Sequence, residues 1–89
     1  MRVYLFGSKD CDKCRRTQRC LLKADISYFY FDVEDPHRQD WYDQMGIDFL
    51  PHIQIRSNED KMLYNLPNCE DPRIVIAALN KVKMQKLGD

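Results

Sequence analysis

Two cysteines, Cys11 and Cys14, are the residues of this sequence whose type and spacing most clearly allow chemistry. The chain has 89 residues and only 4 cysteines. A pair with this spacing can supply half of a zinc site, a structural disulfide, a redox couple or two inert thiols. The elements around the pair decide which of these the sequence favours.

A strand and then a helix are predicted on either side of Cys11. Residues 2–6 ("RVYLF") are β-branched and aromatic and end at Gly7, which is typical of a strand. Residues 12–24 contain no glycine or proline and are predicted to form a helix. One face of that helix carries its small and apolar side chains, those of Cys14, Thr17, Leu21 and Ala24.

A position at the start of a helix favours a reactive Cys11. Unpaired backbone N–H groups and the helix dipole stabilise a thiolate there, and Lys13 acts in the same direction. Because Asp10 and Asp12 oppose this effect, we expect a moderate lowering of the Cys11 pKa. Cys14 lies one turn later on the apolar face, so its sulfur is expected to be more buried and within reach of Cys11. This arrangement predicts a nucleophile, Cys11, and a resolving thiol, Cys14.

The remaining pattern completes a β-α-β-α-β-β-α order. Its first βαβ unit requires parallel strands. We therefore predict an α/β fold with a four-stranded mixed sheet flanked by three helices, in a single domain over residues 1–89. The later elements are predicted as a strand over 26–33, a helix from Pro36 to Met45, strands over 51–55 and 61–64, and a helix opening at Pro72.

Composition excludes several classes of protein. The chain is 44% hydrophobic and 31% charged, which indicates a folded domain. Lys+Arg and Asp+Glu are 14 each, so no net basic field predicts a nucleic acid or membrane partner. We expect a cytoplasmic protein, in which a close cysteine pair is catalytic or metal-binding more often than structural. Basic residues near the pair could be a solvated face, or could stabilise the thiolate or bind an acidic partner; they are Lys9, Lys13, Arg15, Arg16 and Arg19.

The other cysteines and the histidines give little support for a metal site. Cys20, Cys69, His37 and His52 form no second closely spaced pair, which a structural zinc normally needs. Cys20 is expected to be a small, partly buried residue of the first helix. Cys69 is either a bystander near the active pair or a third redox thiol. His52 follows Pro51 and is either an ordinary strand residue or a proton shuttle in the cleft.

The segments "FGSKDCDKC" and "FLPHIQI", together with the order of elements, resemble the glutaredoxin branch of the thioredoxin superfamily. The resemblance extends over nearly the whole chain and implies a thioredoxin-like fold. It also implies that Cys11 is the nucleophile, that Cys14 resolves the mixed disulfide, and that Pro51 follows a cis peptide bond. The backbone of Leu50 would then bind the cysteine of an incoming peptide or of glutathione.

Two segments depart from the glutathione-using members of that family. Asp12-Lys13 replaces a Pro-Tyr pair between the cysteines, and "LPNCED" replaces a Gly-Gly motif before the last helix. The resemblance implies that Asn68 takes the backbone role of one glycine, and that Lys13, Asn68 and Cys69 lie where substrate or glutathione binds. Similar redoxins without these motifs take electrons from thioredoxin reductase and pass them to ribonucleotide reductase. The electron donor therefore stays open.

We expect a monomeric dithiol oxidoreductase that reduces disulfide-containing client proteins or glutathione mixed disulfides. No bound cofactor or metal is expected, with glutathione as a possible co-substrate and thioredoxin reductase as the alternative donor. A second interpretation is a dimeric carrier of an iron–sulfur cluster, bound through Cys11 and glutathione. A third is a redox-inactive interaction module.

Overall fold

Four strands and three α-helices follow one another in the predicted order. The computed structural model describes the backbone of residues 1–87 and the side chains of residues 1–82. The elements are β1 (Arg2–Gly7), α1 (Asp12–Lys23), β2 (Phe29–Asp32), a short 3₁₀ helix (Pro36–Arg38), α2 (Gln39–Met45), β3 (His52–Arg56), β4 (Met62–Leu66) and α3 (Pro72–Leu87).

The strands form one mixed sheet in the order β2-β1-β3-β4, which confirms the predicted α/β architecture. β1 pairs in parallel with β2, and β3 pairs antiparallel with both β1 and β4. In the β1–β3 ladder Phe6 is opposite His52, so Gly7 and Pro51 are the next residues of the two chains beyond the last pair. The C-terminal end of β1 and the start of β3 therefore meet at one edge of the sheet.

Successive side chains of β1 point to opposite faces of the sheet, so the core has one part on each face. Val3 and Leu5 point towards α1 and α3, while Tyr4 and Phe6 point towards α2. The first face is mainly aliphatic, and its buried residues include Leu21, Ile26, Ile53, Ile55, Val75 and Ala78. The second face is aromatic, with Tyr42 buried against β1 and with Phe31 and Trp41 packed around it. Because helices cover both faces, β3 is buried on both sides from His52 to Ile55.

The second strand is shorter than predicted, because only Phe29–Asp32 pair with β1. The expected start, Ile26, instead closes the end of α1, where its N–H donates to the carbonyl of Leu21 at 2.9 Å. Asp25 has a φ of 60°, and this left-handed residue turns the chain back towards the sheet. Ile26 remains buried, so its apolar character reflects core packing outside a strand.

The predicted helix between Asp35 and Gly46 is divided into two parts. Asp35 caps the 3₁₀ helix as expected, with its carboxylate accepting the N–H of His37 at 3.0 Å. Arg38 then leaves helical geometry with φ −125° and ψ 13°, and α2 starts one residue later. Gly46 ends α2 with a left-handed φ of 65°, which confirms the predicted stop. None of the helices described is both long enough and apolar enough to cross a membrane.

Candidate active site

Cys11 and Cys14 form a disulfide at the start of α1, where the sequence placed them. Cys11 is the N-cap residue, with an extended backbone, and its sulfur accepts the backbone N–H of Cys14 at 3.1 Å. The Cα atoms of the pair are 5.2 Å apart. Cys11 is partly exposed and Cys14 is fully buried, as expected for an attacking and a resolving thiol. A sulfur at an N-cap takes the place of the usual Ser, Thr, Asp or Asn oxygen.

The buried sulfur of Cys14 lies against the backbone of Gly7. A Cβ placed on Gly7 would stand 3.1 Å from Cys14 Sγ, 3.0 Å from Cys14 Cβ and 3.1 Å from Cε2 of Tyr30. These separations are below normal carbon contact distances, so a side chain at position 7 would displace one of its neighbours. Gly7 and Tyr30 are thus part of the site, and sequence reasoning missed both. Gly7 offered only a strand-ending signal, and Tyr30 offered none.

The segment before β3 lies at the same edge of the sheet as the end of β1. The Leu50–Pro51 peptide bond is cis, as the resemblance implied, and Pro51 is buried. Leu50 is half-buried and, among the described residues, takes part in no backbone hydrogen bond outside the helices and strands. Phe49 next to it is 65% exposed. An unpaired backbone beside an exposed aromatic ring suits the binding of an extended peptide.

The loop before α3 joins the other two segments of the site. The backbone N–H of Cys69 donates to the carbonyl of Pro51 at 3.0 Å. Glu70 Oε1 lies 3.4 Å from Lys13 Nζ, and this ion pair links the loop to the first turn of α1. Asn68 has a left-handed φ of 54°, a conformation that glycine adopts most easily, so its backbone resembles that of a glycine. Three segments distant in sequence thus meet around the disulfide.

Cys69 takes part in this arrangement through its backbone, while its thiol is buried. The side chain is 6% exposed, belongs to the aliphatic core, and its thiol lies 3.8 Å from the carbonyl of Asp71. Burial raises the pKa of Cys69, with smaller contributions from the carboxylates of Asp71 and Glu70. Both effects reduce its reactivity and favour the bystander interpretation. Cys20 is a partly buried free thiol on α1.

The N-terminus of α3 already has a carboxylate. Asp71 Oδ1 accepts the backbone N–H of Arg73 at 2.9 Å, and Asp71 Oδ2 accepts Nη2 of Arg73 at 2.8 Å. These hydrogen bonds lower the pKa of Asp71. A free helix N-terminus can bind a ligand carboxylate, such as one of those of glutathione. Because the Asp71 carboxylate already accepts the Arg73 N–H at this helix end, a ligand carboxylate would have to displace it there.

Two ion pairs modify the charge around Cys11. Arg15 Nη1 donates to the carbonyl of Lys9 at 2.8 Å, and Arg15 Nη2 pairs with Asp12. Lys13 is paired with Glu70, as described above. Lys13 and Arg15, the two basic residues in the first turn of α1, are therefore both paired with carboxylates. Burial raises the pKa of Tyr30, and nearby carboxylates raise it further, so its phenol stays protonated beside Cys14.

Neither histidine lies at the disulfide. His52 is buried beneath the aromatic face, where its Nε2 contacts Asn65 Oδ1 and its ring meets the edge of Phe6 with centroids 5.9 Å apart. Cys14 lies on the opposite face of the sheet, so the geometry does not support a proton shuttle to it. His37 is exposed in the 3₁₀ helix. Within the part of the chain that the structure describes, no three His, Cys, Asp or Glu residues cluster as metal ligands.

Comparison with solved structures confirms the fold. Thioredoxin 1 from the thermophilic eubacterium Thermosipho africanus is similar over 97% of this chain and 98% of its own, with a TM-score of 0.76 and 16% identity. A mutant of the thioredoxin-like protein BC3987 is similar over 88% of this chain and 99% of its own, with a TM-score of 0.59 and 15% identity. No protein-family model and no curated protein matches the sequence. At these identities the likeness establishes a thioredoxin-like fold, and the glutaredoxin branch stays a prediction.

Proposed function

We propose that this protein is a dithiol oxidoreductase that reduces disulfides of client proteins through Cys11 and Cys14. The observation that carries the proposal is the asymmetry of the pair at the start of α1: a partly exposed N-cap sulfur and a fully buried partner. The N–H of Cys14 and the helix dipole act on the sulfur of Cys11, so they favour its thiolate after reduction. Cys14 lacks this exposure and reacts only with a sulfur already bound at Cys11.

The reaction has two exchange steps. The Cys11 thiolate attacks one sulfur of the client disulfide, forms a mixed disulfide, and releases the other client sulfur as a thiolate that takes up a proton. Cys14, as its thiolate, then attacks the sulfur of Cys11, forms the Cys11–Cys14 disulfide, and releases the second client thiol. Two electrons pass from the dithiol to the client. The oxidised product is the disulfide form described above.

The segment around Leu50 provides the binding surface for the client. Its free backbone groups can pair with an extended client strand, and Phe49 offers an apolar contact. This segment directly precedes β3, whose first residue, His52, pairs with Phe6 at the end of β1. Lys13 and Asn68 lie on the other side, with Lys13 held by Glu70.

A protein reductase is favoured over glutathione as the electron donor. The α3 N-terminus, where a glutathione carboxylate would bind, is capped by Asp71, and Glu70 adds a second negative charge beside it. An incoming carboxylate would meet like charge on both sides. The donor is therefore proposed to be a thioredoxin reductase, acting on a monomer in the cytoplasm, with no bound cofactor.

Single cysteine variants test the function. We expect Cys11→Ser to abolish reduction of a protein disulfide, such as those of insulin. Cys14→Ser should accumulate a mixed disulfide at Cys11, which mass spectrometry detects. Cys20→Ser is the matched control because its thiol is on the same helix and outside the pair, and its turnover should equal that of the wild type. Continued turnover by the Cys14→Ser protein would contradict the two-step mechanism.

Coupled assays test the donor and the alternative functions. The oxidised protein is supplied separately with thioredoxin reductase and NADPH, or with glutathione, glutathione reductase and NADPH. Faster turnover with glutathione would contradict the donor proposal and leave the dithiol chemistry intact. A cluster carrier would purify with visible absorption that a dithiol lacks. A redox-inactive module would have a Cys11 that reacts with iodoacetamide at pH 6 no faster than a free thiol.

A further inference from the structure

The exposed surface of α1 carries an unusual concentration of positive charge. The helix Asp12–Lys23 has five cations and one carboxylate, a local net charge of +4, in a chain whose formal net charge is +0. Helical geometry places four of the cations in one arc of about 100°. We call this arc the basic face; it consists of Arg15, Arg16, Arg19 and Lys23, with Asp12 and Leu22 among them.

Helix stability does not explain the basic face. Arg19 has like-charged neighbours at Arg15, Arg16 and Lys23, at spacings of three or four residues, and such pairs destabilise a helix. Arg15 and Arg16 also lie near the positive end of the helix dipole, where cations are unfavourable. These charges therefore lower the stability of α1.

Most of these charges have no partner within the described residues. Arg15 pairs with Asp12, whereas no carboxylate in residues 1–82 forms an ion pair with Arg16, Arg19 or Lys23. All three are exposed. A shallow depression runs along the face, lined by Arg15, Gln18, Arg19 and Leu22. Leu22 is 65% exposed and gives the depression an apolar end.

We propose that the basic face binds an acidic segment of the client protein next to its reacting cysteine. This inference rests on the proposed function and specifies its substrates. Carboxylates in the depression would relieve the repulsion around Arg19 and raise the rate of encounter. A protein segment fits better than a nucleic acid, because four cations and an exposed Leu22 are a small, partly apolar patch on a chain without net positive charge.

The position of the basic face defines where the acidic residues must lie. From Cys11, the rise of about 1.5 Å per helical residue places Arg15 about 6 Å and Lys23 about 18 Å along α1. An extended client chain advances about 3.3 Å per residue. Its carboxylates should therefore lie about two to six positions from the cysteine that Cys11 attacks.

The test measures single turnover of the reduced protein with three peptides. Each has one cysteine joined by a disulfide to 2-thiopyridine, so attack on the peptide sulfur releases thiopyridone, which is followed by absorbance. Two peptides carry three glutamates two to six positions before or after the cysteine, and the third carries glutamines there. We expect one acidic peptide to react about tenfold faster than the neutral peptide at low salt. At about 1 M salt the advantage should disappear.

Two charge-reversal variants separate the basic face from net charge. Arg19→Glu should remove most of the advantage of the acidic peptide, measured as the ratio of acidic to neutral rates. Lys61→Glu changes the net charge equally, and Lys61 lies in the connection between β3 and β4, next to the end of β3 that pairs with the start of β1 and away from the disulfide. It should leave the ratio unchanged.

The outcomes distinguish this inference from the proposed function. Equal rates for all three peptides at low salt overturn the basic face as a binding surface, and so does an equal loss in both variants. If the neutral peptide oxidises the protein no faster than it oxidises free cysteine, the proposed function itself fails.

Discussion

Replacing Gly7 with alanine should strain the site at its most crowded point. The new methyl carbon would lie 3.0–3.1 Å from atoms of Cys14 and Tyr30, well inside the contact distance of about 3.5–4.0 Å for carbon atoms. Overpacking of this kind costs about 1–3 kcal/mol of unfolding free energy. For a domain of this size, that corresponds to a fall in Tm of about 5–20 °C.

Urea unfolding of the oxidised protein measures this change, and a second glycine supplies the control. Gly46 also lacks a side chain, but nothing lies within 4 Å of its Cβ position, and its φ is +65°. Gly46→Ala should cost about 1–2 kcal/mol through its backbone alone. Tyr30→Val removes ring atoms that crowd a methyl group at position 7. It changes nothing near position 46. It should therefore reduce the penalty of Gly7→Ala and leave that of Gly46→Ala unchanged.

Two results would contradict this packing around Gly7. If Gly7→Ala changes the unfolding free energy by less than about 0.5 kcal/mol, the site is not packed as described. If the penalty of Gly7→Ala is the same with Tyr30 and with valine at that position, then the Tyr30 ring is not one of the atoms displaced.

Two further predictions concern pH and follow from residues of the 68–71 loop. The pKa of Cys69 is raised by burial, so the unfolded chain loses this proton first, and the oxidised protein should lose stability as pH rises above the ordinary thiol value of 9.0. Cys69→Ala should reduce the dependence of the urea midpoint on pH above that value, and Cys20→Ala should leave it unchanged. The pKa of Asp71 is lowered by Arg73, so its contribution is complete above the ordinary value of 3.8 and is lost as pH falls below it. Asp71→Asn should reduce the fall in urea midpoint between about pH 5 and pH 2, with Glu70→Gln as the control; an unchanged profile would contradict the role of the Arg73 pair.

The sequence predicted most of what depends on local pattern. The Asp35 cap, the stop at Gly46 and the burial of Cys14 on the apolar face of α1 are confirmed, because each follows from backbone rules or helical periodicity. Ile26 shows the limit of such patterns. An apolar residue next to a strand is predicted to belong to the strand. The backbone of Ile26 is instead hydrogen-bonded to the end of α1.

The closed arrangement around the disulfide was not predictable in the same way. The Lys13–Glu70 pair joins residues 57 positions apart, and the hydrogen bond from Cys69 to Pro51 joins two loops with no shared pattern. The contact of Tyr30 with Gly7 depends on the register of β1 with β2. These contacts form only when the sheet has been assembled. A short window of sequence contains only one of the two partners, so it cannot predict the contact.

The separation of the two faces of the sheet has a practical consequence for spectroscopy. Trp41 is the only tryptophan, and it packs against Phe6 and Phe31 on the aromatic face, while Cys14 lies on the aliphatic face. The indole and the disulfide, which can quench tryptophan emission at short range, therefore lie on different faces of the sheet. Fluorescence should report unfolding with the same native baseline in the oxidised and reduced forms. Trp41 is thus expected to report unfolding in both redox forms of the protein.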